Sequence, residues 1–246
     1  MEKAGKAKFL FVPRLFLCAA LLAIAIVGAS LAYFTDTDAK DNVFTTGKVD
    51  ITLNENFDQN SKLLPSTGSA QQGTLKNGVK KEIQVKNEAG SEDTYVRVHI
   101  AIPAILDNGA DDFDAGKNVL HFNYNKNSIG EGKWDWSKTN GAPYEGDWNY
   151  YETTIDNIKY NVYVVTYGTA LKAGQTTPEY AMHQVYLDSK VTNADIEKIN
   201  EALGTKWEIK VFAEGAQAAG FDNAYDALNA AFRTPGTADY VSPWNK

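Results

Sequence analysis

The run Thr94–Ile102 sets Val96, Val98, Ile100 and Ile102 on one side and Tyr95, Arg97 and His99 on the other. A period of two belongs to a β-strand with one face on an apolar core and the other outward; helical apolar positions recur every three or four residues. Three more runs share it. Val49, Ile51 and Leu53 oppose Lys48, Asp50 and Thr52, and Val79, Ile83 and Val85 share a face of Val79–Asn87. In Lys206–Phe212, Trp207, Ile209 and Val211 oppose Lys206, Glu208 and Lys210. Tyr160–Tyr167 is β-branched and aromatic apart from Asn161 and reads as a more deeply buried strand. Met182–Leu187 is a further strand candidate.

Two short helices interrupt this pattern. Thr192 precedes Asn193-Ala194-Asp195 as a cap, Ile196, Ile199 and Leu203 recur at helical spacing, and Gly204 stops the helix. The second is expected over Phe221–Phe232, with Asp222 as cap, Ala224, Leu228 and Ala231 as the apolar face, and Pro235-Gly236 as the stop. Many short strands with few helices predict an all-β fold, an antiparallel β-sandwich rather than a parallel α/β sheet. Apolar residues make up 43% of the chain, enough for one core. Residues 106–158, rich in Gly, Asn and aromatics, read as an irregular insertion of long loops with a hairpin or two.

The first 32 residues read as a signal peptide. Lys3, Lys6, Lys8 and Arg14 form a basic head, no charge occurs from Leu15 to Phe34, and Ser30 and Ala32 are the small residues before a cleavage site. Cleavage is therefore expected between Ala32 and Tyr33, leaving a single domain over 33–246 and a secreted protein, held at a membrane only through uncleaved signal. The uncharged run also has the length of a bilayer span, the competing reading of a retained anchor. Cys18, the one cysteine, lies within the leader, so the body has no thiol for a disulfide or a Cys-based metal site. The formal charge of −7, more negative once the basic leader is gone, argues against nucleic acid and anionic membranes as partners.

No motif of catalysis stands out. His99, His121 and His183 form no HExxH pair, and GxSxG, P-loop and GxGxxG patterns are absent. The expectation is a non-enzymatic protein without a cofactor. The best ion candidate is the acidic stretch holding Asp107, Asp111, Asp112 and Asp114, whose closely spaced carboxylates suit calcium. It departs from the EF-hand pattern and reads first as a solvated acidic turn. Trp134, Trp136, Tyr144, Trp148, Tyr150 and Tyr151 read as a small satellite core, with stacking on sugars as the alternative.

After the cleavage site, Ala32-Tyr33-Phe34-Thr35-Asp36-Thr37-Asp38 and Asn42-Val43-Phe44-Thr45-Thr46-Gly47-Lys48-Val49-Asp50-Ile51-Thr52-Leu53 resemble the start of SipW-dependent exported proteins, the TasA and camelysin group of Gram-positive biofilm proteins. Val85-Lys86-Asn87 with Tyr95-Val96-Arg97-Val98 is similar to a strand pair of that family, and Gly174-Gln175-Thr176-Thr177 to its later turn. Val211–Phe221 is similar to the C-terminal motif of its BsaA-type branch. Residues 106–158 lie outside the likeness. The resemblance implies a jelly-roll-like sandwich, processed by a signal peptidase of SipW type and built head to tail into homopolymeric matrix fibres. It further implies that the mature N-terminus of one subunit fills a strand position in the next. The donor would be roughly residues 33–46, with Tyr33, Phe34, Val43 and Phe44 at the subunit interface. Return of this segment onto its own domain fits the same residues. The camelysin protease activity is not carried over, because no zinc motif accompanies it. A monomeric surface module that reads glycans through the aromatic cluster is the alternative function.

Overall fold

A computed structural model describes residues 47–58, 61–67, 75–107, 119–123, 134–136 and 150–245. The cleavage site, the donor segment with Tyr33, Phe34, Val43 and Phe44, and the acidic residues Asp111, Asp112 and Asp114 lie outside the described residues. In chain order the elements are β1 (Ile51–Phe57), β2 (Val79–Asn87), β3 (Thr94–Pro103), β4 (Leu120–Asn123), β5 (Trp134–Asp135), β6 (Tyr150–Ile155), β7 (Ile158–Tyr167), β8 (Gln184–Leu187), α1 (Asn193–Leu203), β9 (Lys210–Gln217) and α2 (Ala224–Phe232), then a 3-10 turn, Pro243–Asn245. The strands form two antiparallel sheets. One has the order β1-β2-β8-β4; the other runs β5-β7-β3-β9, with β6 also against β7. The expected all-β sandwich with two short helices is the architecture found.

Alternation explains the core between the sheets. Ile83 and Val85 of β2 meet Val96, Val98, Ile100 and Ile102 of β3 and Val165 of β7, all without exposure to solvent. Burying one such aliphatic side chain is worth about 1.5–3 kcal/mol. Residues 174–183 extend β8 irregularly along β2: Ile83 N–H donates to Met182 O, Ala181 N–H to Ile83 O, and Thr177 N–H to Val85 O. Among the described residues no helix is long and apolar enough to cross a membrane.

The last sheet strand lies further along than its alternation suggests. Lys206–Glu208 stay outside the ladder, because β3 pairs with residues from Lys210 (opposite Ala101) to Gln217 (opposite Thr94). Trp207 instead turns its indole N–H to Asn200 Oδ1 of α1 at 3.0 Å. α1 has the expected cap: Asp195 N–H donates to Thr192 Oγ1, and the Asp195 carboxylate accepts from Thr192 N–H, a reciprocal capping box. In α2 the cap is Asn223, not Asp222; its Oδ1 accepts from Asp226 N–H at 3.0 Å. Ala224, Ala227 and Leu228 are its buried face, while Ala231 is exposed. Ala231 lies on the same face in projection, so its exposure reflects position along the axis.

Residues 106–158 are not a uniform irregular insertion. They supply β4 to one sheet and β5 and β6 to the other, and Trp134 and Trp136 are buried in the main core rather than in a satellite. The β6–β7 hairpin turns on Asp156 and Asn157, with φ of 51° and 66°. Two successive left-handed residues make a type I′ turn, which Asn and Asp tolerate and β-branched residues do not. Asn157→Val is therefore expected to destabilise by roughly 1–2 kcal/mol, and Asn157→Gly to be neutral or slightly stabilising. Urea unfolding midpoints of the two variants check this.

Candidate functional site: an open sheet edge and a buried charge cluster

β1 ends one sheet and β9 ends the other, at the same side of the sandwich, and Gly215 of β9 marks where they come close. A Cβ at Gly215 would meet Ile51 Cγ2 at 3.0 Å and Thr94 Cγ2 at 3.1 Å. Among the described residues, β1 pairs only with β2 and β9 only with β3. Each edge strand therefore presents a row of backbone donors and acceptors without ladder partners. The inward residues at this side, Ile51, Leu53, Val211 and Ala213, are only half-buried, unlike the fully covered side chains of β2 and β3. Strands of 7 and 8 residues flanking a half-open apolar seam can accept a further strand; the 4-residue β4 at the opposite edge offers far less.

The second feature lies on the outer face of the five-stranded sheet. Arg97 and His99, expected to face solvent, are 2% and 0% exposed. Strand β9 places Glu214 opposite Arg97 and Phe212 opposite His99. Arg97 Nε donates to Glu214 Oε2 at 2.5 Å, Nη1 to Asn229 Oδ1 at 2.9 Å and Nη2 to the Arg233 carbonyl at 3.0 Å. The guanidinium thus joins the sheet to the last turn of α2, where a cation favours the negative end of the helix. His99 Nε2 lies 3.0 Å from the same Glu214 oxygen. Tyr240 closes the cluster: its hydroxyl donates to Glu214 Oε1 at 3.3 Å, and its ring stacks on His99 with planes 10° apart.

Burial pushes the His99 imidazole below its ordinary value of 6.5, and Arg97 adds to this against the pull of Glu214. Burial alone would raise the Glu214 carboxyl, but the hydrogen bonds and charges of His99 and Arg97 outweigh it and hold Glu214 below its ordinary 4.5. Burial, with Glu214 and Tyr151 nearby, drives the Tyr240 hydroxyl far above its usual range. The cluster is thus an ionised Arg97–Glu214 pair flanked by a neutral imidazole. Apart from His99 Nδ1, its groups are spent on one another beneath a covered surface, an arrangement suited to holding elements together.

Other singled-out residues also have structural places. Asp107 is buried; its Oδ2 accepts from Tyr163 OH at 2.8 Å and from Asn161 Nδ2 at 3.0 Å. Among the described residues no group of three or more His, Cys, Asp or Glu side chains is placed to hold a metal ion. His121 pairs with Asp188 at 2.8 Å, and His183 lies edge-on to Tyr180. Trp134 donates its indole N–H to Glu179 O at 2.9 Å and, like Trp136, presents no face for a sugar, whereas Tyr150 is exposed. The motif-like residues cluster by role. Asn87 bridges two loops through Glu92 O and Leu171 O, Gly174 (φ 79°) makes the turn that returns its N–H to Asn87 O, and Arg97 and Glu214 form the buried pair. Nothing in the alternation of β3 marks Arg97 and His99 as buried; the only signal was a pair of long polar residues in the most apolar strand. In comparisons with known proteins the chain matches no family model and no curated protein.

Proposed function

We propose that this protein is a non-enzymatic structural subunit of extracellular fibres, exported with a leader that a signal peptidase of SipW type removes. Its partner is a second copy of itself. Residues 33–46 of one subunit add as a strand to the next, with Phe34, Val43 and Phe44 as apolar anchors. The observation that carries this reading is the half-buried seam of Ile51, Leu53, Val211 and Ala213 between the edge strands β1 and β9. A donated strand would pair with an edge backbone and cover this seam, and a head-to-tail contact that does not close on itself propagates as a filament. The glycan-reading alternative loses support from the burial of Trp134 and Trp136.

Negative-stain electron microscopy of protein starting at Tyr33, beside protein starting at Gly47, tests the proposal. Filaments are expected from the longer form only, and Leu53→Lys, which places a charge in the seam, should abolish them. Monomers from both forms at high concentration would defeat it.

A further inference from the structure

Past α2 the chain doubles back over the outer sheet face. Arg233 and Gly236 take left-handed backbone, with φ of 73° and 83°, and a Cβ at Gly236 would stand 3.1 Å from Tyr151 Cβ. Within 234–245 the backbone makes two turn bonds, Thr237 N–H to Thr234 O and Tyr240 N–H to Thr237 O. Among the described residues it makes none to the sheet. The hold on the sheet comes from side chains. Tyr240 sits on His99 and Glu214, and Trp244 lies 6.1 Å edge-on to Phe212 and packs against the patch of Ala101, Ile155, Tyr160 and Val162. The Arg233–Asp239 pair, 3.7 Å apart and exposed, adds little. A cover fastened by two rings belongs to the low-stability end of a fold and can open by itself.

His99 lies directly under this cover. Nε2 is engaged with Glu214, but Nδ1 is buried without a hydrogen-bond partner. In the neutral ring Nδ1 is an unsatisfied acceptor. Once protonated it becomes a buried N–H with no acceptor, on a ring now charged beside Arg97. Facing this ring are Arg97 from its own strand, Glu214 and Phe212 from β9, Tyr151 from β6 and Tyr240 from the strap. α2 reaches the cluster through Asn229, and the Arg233 carbonyl follows it. Among the described residues facing the ring, Glu214 alone can offset a new positive charge, and it already serves Arg97.

We propose that segment 234–245 is an acid-released strap: protonation of His99 loosens Tyr240 and Trp244 and uncovers the outer face around Ala101, Tyr160, Val162 and Phe212, while the sandwich stays folded. The direction follows from linkage. Release lifts part of the burial that disfavours the charged ring, so His99 takes up a proton more readily released than strapped. The released state therefore binds the extra proton, and falling pH favours release. The proposal does not depend on assembly into fibres.

Hydrogen exchange followed by mass spectrometry from pH 7.5 to 5, corrected for intrinsic rates, is the test. Protection at 234–245 should fall about tenfold at pH 5 for each unit by which the strap lowers the affinity of the ring for a proton, while β2, β3 and β7 stay protected. His99→Gln should flatten the dependence. Tyr240→Ala should leave the strap unprotected at both ends of the range, with the sheets intact. Constant protection in the parent protein would overturn the strap, as would equal losses in His99→Gln or loss spread over the whole sandwich.

Discussion

Arg97→Leu is expected to lower the unfolding free energy by about 3–5 kcal/mol, because it strands the Glu214 carboxylate in a covered site. Glu214 is 6% exposed, and without Arg97 only His99 and Tyr240 among the described residues remain to satisfy it. The same change frees the Arg233 carbonyl and Asn229, so the last turn of α2 loses its hydrogen bonds to β3 while the packing of Tyr95 on the helix remains. Arg97→Leu combined with Glu214→Leu should recover much of the loss, since removing both charges also removes the desolvation penalty. Guanidinium unfolding of the two single variants and the double variant measures this coupling. Purely additive losses would mean that the pair holds nothing beyond the volume of its side chains.

Trp134→Ala is expected to cost about 3–5 kcal/mol, the range for emptying a buried aromatic site. The indole is 2% exposed, packs 5.2 Å from the Tyr167 ring and donates to Glu179 O, so the change leaves a cavity and removes a hydrogen bond. The change also asks whether the stretch from 106 to 158 is an appendage. If Trp134 were part of a detachable insertion, its loss would leave the global unfolding midpoint near the parent value. A fall in the same cooperative transition that reports on β3 and β7 would make the stretch part of the sandwich.

Strand content and the identity of the inner face are legible in period two: Val96, Val98, Ile100 and Ile102 are all buried in one core. α1 is legible to the residue, because a capping box and a stop glycine act within a few positions of one another. The extent of β9 was displaced because alternation continues through Lys206–Glu208 while the ladder depends on where β3 lies. Within 106–158 no more than a hairpin or two was legible, and β5 could not be read because it is two residues long and carries no period of its own.

For the candidate site, local chemistry and tertiary placement divide cleanly. Alternation told that Tyr95, Arg97 and His99 share the face opposite the core. It could not tell what lies over that face, because a strand of given pattern is compatible with solvent or with a covering helix. Only the fold brings Glu214, some 117 residues further on, beside Arg97, and Tyr240 over His99. Likewise, half-buried Ile51 and Val211 read as ordinary core positions until the sheet order shows that both belong to edges. Burial is a property of neighbours distant in sequence, whereas period, caps and turns arise from neighbours along the chain; that is why the latter were written locally and the former had to await the packing of the two sheets.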